Sequence, residues 1–269
     1  AVTGEAVNEG DETINASLAW VSGGHGTVTA TDTAVGTITG DDPVVLTIAD
    51  VTSVAEGSAA VFSVTFDTTT GNATETTSPL TFAFDTGDDT DTAVGDRDYT
   101  SVTTGSGAIA AGETSTTVSV TTTDDTVYEN DETLTVVLSA LVGANATFAD
   151  DTAVATVTSE DVAPSILFDT NATAAFDEED DGTATATITL SHPSALGVTV
   201  DYATSQAGDA KQSRDYQAKT GSVSFDDEFT TDQEVTVLLE PDVLDENDET
   251  FDIALSNAAG GSITVASHT

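Results

Sequence analysis

The stretch ENDETLTVVL at Glu129–Leu138 decides the fold, because the chain carries three versions of it. NEGDETINASL precedes it at Asn8–Leu18, and ENDETFDIAL follows it at Glu246–Leu255. Its first glutamate recurs at Glu9, Glu129 and Glu246, in steps of 120 and 117 residues. Two further strings keep that step. AVGTITGDDP at Ala34–Pro43 returns 119 residues later as AVATVTSEDVAP at Ala153–Pro164. GDRDYTSVTTGS at Gly95–Ser106 matches QSRDYQAKTGSVSF at Gln212–Phe225, where Arg97 and Arg214, the only arginines, lie 117 apart. Three independent strings with one spacing define an internal repeat.

The register divides the chain unequally. Residues 1–42 are the last third of a repeat, 43–162 a complete copy, and 163–269 a copy that stops short of its final strand. Both junctions carry a proline, Pro43 and Pro164, and the residue before proline favours extended chain. Inside the complete copy the apolar residues alternate: Phe62, Val64 and Phe66; Val118 and Val120; Leu134, Val136 and Leu138. Alternation is the signature of a half-buried strand, and the abundant Thr and Val suit a pleated surface. No window keeps a helical period. About seven such segments per repeat predict an all-β chain of tandem, immunoglobulin-like, seven-stranded β-sandwiches. With no cysteine, the two sheets must be joined by packing alone. In the partial repeat Ile14, Ala16 and Leu18 read as one apolar stripe and Val35 with Ile38 as part of another. Trp20 and the phenylalanines read as core.

Charge narrows the function. Four basic residues face 48 acidic ones, a net charge of −44, so at most four carboxylates can pair with Lys or Arg. Phosphate-bearing partners call for clustered cations, which excludes nucleic acid and anionic membrane surfaces. Apolar content of 38%, regularly alternating, separates the chain from disordered acidic sequences. No apolar run approaches the ~20 residues of a membrane helix, so membrane insertion is not expected. No signal peptide heads the chain, which reads as a mature or excised segment of a longer protein.

The carboxylates collect where strands end. In the complete repeat they are Glu56 in VAEGS, Asp98 in DRDY, Asp124 and Asp125 with Glu129 and Glu132 in DDTVYENDE, and Glu160 with Asp161 in SEDVAP. Several strand ends of a sandwich meet at one end of the domain, and like charges gathered there repel unless a cation lies among them. Ca²⁺ suits such a set, because it takes 6–8 oxygen ligands in flexible geometry. Transition metals prefer His or Cys. Asp88, Asp89 and Asp91, outside the repeated clusters, read as solvated surface.

The combination of Glu-Gly before the second strand, Asp-Tyr in a mid-domain loop, Asp-Asp-x-x-x-Glu-x-Asp-Glu before the penultimate strand and a closing acidic run resembles the Calx-β motif. That motif occurs in regulatory domains of sodium–calcium exchangers, an integrin tail and long bacterial surface proteins. The resemblance covers nearly the whole chain and implies sandwiches with Ca²⁺ at one end. Carried over, it implies Glu56, Asp98, Asp124, Asp125, Glu129, Glu132, Glu160 and Asp161 as ligands. In the last repeat Glu179, Asp215, Asp242, Glu246 and Glu249 match, but Pro241 replaces the first Asp of the pair and the closing run is missing. A weaker site is expected there. The N-terminal fragment keeps Glu5, Glu9, Glu12, Asp41 and Asp42 and cannot build a whole site alone.

Other signals carry less. His25, His192 and His268 sit at unrelated positions without a partnered nucleophile, and the acidic pairs repeat as structure does, so no enzyme is expected. Asn15, Asn72, Asn145 and Asn171 begin N-x-S/T sequons, which Thr abundance alone could generate. The run TSTTVSVTTT at Thr114–Thr123 is explained by strand propensity. The expected role is a structural or adhesive segment of a secreted or cell-surface protein. Its partners would be neighbouring repeats of the same or an identical chain, and a surface glycan or protein. Two alternatives stand beside it: a calcium-sensing regulatory module and a carbohydrate-binding module. The partial repeat raises one more expectation, that strands of one molecule complete the last sandwich of the next, head to tail, as a filament.

Overall fold

The structure, a computed structural model, describes residues 4–18, 33–69, 72–87, 91–169, 182–206, 208–226, 231–242, 247–265 and 267–269. Trp20, His25, Asp88, Asp89, Asn171, Glu179 and Glu246 lie outside them. The chain is all-β and forms two compact units. One comprises Ala1–Asp124 with Glu132–Thr158, the other Asp125–Asp131 with Ser159–Thr269.

The first unit begins with β1 (Val7–Asn8), β2 (Glu12–Ser17) and β3 (Thr33–Ile38). There follow β4 (Val44–Ile48), β5 (Val51–Ala55), β6 (Ala59–Phe66), β7 (Glu75–Thr76) and β8 (Leu80–Thr86). It closes with β9 (Gly105–Ile109), β10 (Ser115–Thr121), β11 (Glu132–Val142), β12 (Ala146–Asp150) and β13 (Thr152–Thr158). One sheet runs in the order β10-β6-β4-β12, the other β5-β13-β11-β8-β9. Alternate residues turn inward, as the sequence pattern requires. Phe62, Val64 and Phe66 of β6 and Leu134, Val136 and Leu138 of β11 are all buried in one apolar cluster.

The second unit repeats the plan with β14 (Ser165–Phe168), β15 (Thr183–Leu190), β16 (Val198–Ser205) and β17 (Thr220–Phe225). Then come β18 (Asp232–Leu238), β19 (Asp252–Ala259), β20 (Ser262–Ile263) and β21 (Ser267–His268). Its sheets run β18-β15-β14-β20 and β17-β16-β19-β21 over a separate core built on Ile166, Phe168, Ile188, Tyr216 and Phe225.

The strand count exceeds seven for an identifiable reason. The first segment of the repeat is broken after Ile48: β4 pairs antiparallel with β6, while β5 crosses to the other sheet and pairs parallel with β13. Asp50 caps the crossing, its carboxylate accepting the Val154 N–H at 2.8 Å. The chain also turns back after β11 to add β12 parallel to β4. Both short strands lie at sheet edges, where alternation is too brief to read from sequence.

The partial repeat divides in two. β1 pairs parallel with β7, placing Asn8 opposite Thr76. β2 and β3 form a two-stranded hairpin with Ile14 opposite Gly36 and Glu12 opposite Ile38. That register is the β11–β13 register, Leu134 opposite Ala155 and Glu132 opposite Val157, carried back one repeat. It also corrects the stripe read for Val35 and Ile38. Residues three apart on a strand face opposite ways, so Ile38 shares a face with Ile14 and Val35 lies on the Asn15 face. Burial differs sharply between equivalent positions: Leu134 is 0% exposed and Ile14 53%. Leu134→Ala should therefore cost roughly 2–5 kcal/mol and Ile14→Ala less than ~0.5 kcal/mol in denaturant unfolding of the full chain. Equal costs would contradict the packing described.

Candidate metal centre

The Glu-Gly turn between β5 and β6 is pinned from two sides. The Glu56 N–H donates to Thr158 O at 3.3 Å, and the Thr122 hydroxyl at the end of β10 donates to Ser58 O at 2.7 Å. Gly57 has φ of 69°, and a Cβ there would stand 2.8 Å from the Asp124 Cβ. Glycine is required twice over, by left-handed backbone and by close approach. The turn thus sets Glu56 against the start of the DDTVYENDE run.

The turn around Arg-Asp-Tyr recurs in both units with the same backbone scheme. Asp98 accepts the Val94 N–H and Asp215 accepts the Lys211 N–H, each four residues back. Asp96 and Ser213 take positive φ at equivalent positions, and the Thr123 and Glu240 N–H groups donate to the carbonyls of Asp98 and Asp215. Tyr99 and Tyr216 fill the cores beneath, and burial pushes both phenols above their ordinary pKa. Arg97 Nε lies 3.5 Å from Asp98 Oδ1.

Two carboxylate groups assemble from these segments. Oxygens of Glu56, Asp125 and Asp161 lie within 4.8 Å of one another, and so do those of Asp98, Glu129 and Glu132. Asp98 is 8% exposed, and the other five are half-buried or exposed. Close by in sequence, Ser159 Oγ is buried with no hydrogen-bond partner among the described residues. Of the eight expected ligands in the complete repeat, six gather and Asp124 and Glu160 do not. Each of those two is the direct neighbour of one that does.

Elsewhere no such group forms among the described residues. Asp215 holds its turn, and neither Asp242 nor Glu249 belongs to a group of three among the described residues. Glu5, Glu9, Glu12, Asp41 and Asp42 do not close up either, although Glu9 feels its neighbours. The charge of Glu12 above all, then burial, Glu5 and Asp42, raise its pKa above the usual carboxylate range. Asp91, read as solvated surface, is instead built into the fold: its carboxylate accepts Thr135 N–H at 3.0 Å and Thr135 Oγ1–H at 2.6 Å.

Sequence reading passed over His192, Ser194 and Thr76. Thr76 and Ser194 stand 118 residues apart, on the repeat spacing, which was the available signal. His192 offers none, since it bonds a backbone carbonyl 30 residues away.

A raised pKa favours the neutral form of Glu9 in the folded chain. That preference contributes stability below the ordinary Glu pKa and loses it as pH rises through the raised value. An NMR titration should place the Glu9 midpoint above the ~4.3 of a free glutamate, and Glu12→Gln should lower it. A midpoint at or below the free value would show that the Glu12 charge is not felt.

The Calx-beta domain family model matches residues 39–163 and again 160–267. Among solved structures, CBD12 from CALX1.2 is similar at 17% identity, covering 80% of this chain and 80% of that one with a TM-score of 0.38. The calcium binding domain CBD12 of CALX1.1 gives 17%, 78%, 80% and 0.37 in the same order. The apo-form Calx CBD1 domain gives 16%, 45%, 100% and 0.37. No curated protein matches the chain. Between them the two family matches take in most of the residues, and the chain belongs to the Calx-beta domain family, with two copies in tandem.

Proposed function

We propose that this chain is a calcium-binding structural segment of an extracellular or cell-surface protein. The gathering of carboxylates from segments far apart in sequence into two groups of three carries the reading. The donor set fits the ion: oxygen ligands only, of a charge that a chain with four basic residues cannot balance internally. Glu56, Asp125 and Asp161 would hold one ion and Asp98, Glu129 and Glu132 another. The ion would supply positive charge that removes their repulsion and ties strand ends together. Nothing in this role calls for chemical turnover.

Assembly with identical chains extends the proposal. The β2–β3 hairpin shows an exposed face of Ile14, Ala16 and Leu18, equivalent to the buried face of Leu134, Val136 and Leu138. A two-stranded hairpin with an uncovered apolar face is marginal in water. Strands of a further repeat, from a neighbouring chain added head to tail, would cover it. Sedimentation of the full chain with calcium should then show self-association that Ile14→Ser with Leu18→Ser abolishes. A monomer at high concentration would end this part of the proposal.

Calcium should stabilise the chain beyond the effect of ionic strength. A site of ~0.1 mM affinity in ~10 mM calcium gains about 2.7 kcal/mol by linkage. Melting in CaCl₂ and in EDTA with NaCl at matched ionic strength measures this, and identical curves would refute calcium binding. Asp125→Asn should weaken binding more than Asp124→Asn does. An affinity of ~10⁻⁴–10⁻³ M supports the extracellular module, whereas ~10⁻⁷–10⁻⁵ M would turn the reading to a calcium sensor.

A further inference from the structure

Each compact unit contains, besides its own sandwich, an acidic run that precedes the sandwich in sequence: the Glu9–Glu12 segment in the first and Asp125–Asp131 in the second. We infer that one loop of each sandwich is a positioning element for that run, and that His192 is its key positioning residue in the second unit. The inference rests on the calcium reading above.

In the first unit the loop joins β6 to β8. Thr74 N–H donates to Ala6 O at 2.9 Å and Thr77 N–H to Asn8 O at 3.0 Å, either side of the Asn8–Thr76 pairing. In the second unit the loop joins β15 to β16. Tyr128 N–H donates to Pro193 O, and Ala195 N–H to Tyr128 O, both at 3.1 Å, around a parallel Tyr128–Ser194 bridge. Asn8 and Tyr128 hold the same place in the repeat, directly before the first glutamate. The two loops differ in length and sequence, yet share one device. Thr76 and Ser194 are buried, and each hydroxyl donates to the carbonyl two residues on while accepting that residue's N–H. This turn shapes the loop edge that grips the acidic run.

A second tie holds the backbone beside the closing acidic pair. Asn8 Nδ2 donates to Asp42 O at 2.9 Å in the first unit. Tyr128 has no side-chain amide, and the loop itself supplies an N–H: His192 Nε2 lies 2.7 Å from Val162 O. A carbonyl only accepts, so Nε2 carries the proton. Nδ1 then accepts the Ser191 hydroxyl at 2.9 Å, and that hydroxyl oxygen accepts Ser165 N–H at 2.9 Å. The loop from Ser191 to Ala195 therefore fastens the backbone next to Glu129 and the backbone next to Asp161, which carry ligands of both carboxylate groups. Ligands preset in this way need less ordering when an ion arrives, and groups that orient metal ligands are commonly worth 10–100-fold in affinity.

The test is calcium titration of the full chain, its His192→Ala and its His192→Gln variants, with melting of each in EDTA. His192→Ala should weaken one class of sites about 10-fold while melting in EDTA stays unchanged. His192→Gln, whose amide nitrogen can still donate to Val162 O, should recover most of the affinity. If the unaltered chain binds no calcium, the calcium reading falls and takes this inference with it. If it binds and His192→Ala binds as tightly, the inference alone is wrong. Joint loss of affinity and of stability in EDTA, without recovery by Gln, would show His192 to be structural only and would also overturn it.

Discussion

Repulsion among carboxylates constrains everything else in this molecule. With 48 acidic and four basic residues, ion pairs cannot hold the fold, and without cysteine neither can disulfides. Cohesion has to come from apolar burial between sheets, at about 1.5–3 kcal/mol for each fully buried large side chain. The described interior obeys this. Its buried members are Val, Leu, Ile, Phe, Ala and Tyr, with a few satisfied Thr, Ser and Asn and one carboxylate. That carboxylate, Asp98, is admitted because the Val94 N–H and Arg97 meet its oxygens. Every other acid among the described residues stays outside that interior, whether in loops and at strand ends or, like Asp201 and Glu234, on a part-exposed or exposed position within a strand.

What could be read from sequence follows from how local each cause is. Alternation along β6, β10 and β11 is a property of neighbouring residues, and those strands and their buried faces were legible. The repeat spacing made the two cores legible as copies. The split into β4 and β5 was not, because it depends on Asp50 meeting Val154, 104 residues away. Asp91 misled for the same reason: its sequence surroundings look solvated, and its partner Thr135 lies 44 residues on. The candidate ligands were legible as clusters but not as individuals. Sequence shows that Asp124-Asp125 and Glu160-Asp161 are acidic pairs, while only the fold decides that Asp125 and Asp161 join Glu56.

The hairpin shows how far register is a local matter. β2 and β3 pair residue for residue as β11 and β13 do, although the first pair is exposed among the described residues and the second lies in a core. Register here is set by the two strands themselves. Burial is set by what covers them. Sequence similarity between repeats therefore transmits pairing, while burial follows only where a facing sheet is present, which is why Ile14 and Leu134 occupy one pattern and two environments.

The Arg-Asp-Tyr turn bears on how repeated acids should be read. Asp98 and Asp215 do the same structural work, each closing a turn on the N–H four residues earlier, with a buried tyrosine following. That work alone accounts for the recurrence of the aspartate. Yet only Asp98 has two further carboxylates within reach among the described residues. Recurrence of Asp in this turn thus reports the turn, and the closeness of Glu129 and Glu132 to Asp98 is what makes a candidate metal centre. The discriminating feature is convergence in space, because a turn needs one acceptor and a calcium ion needs many.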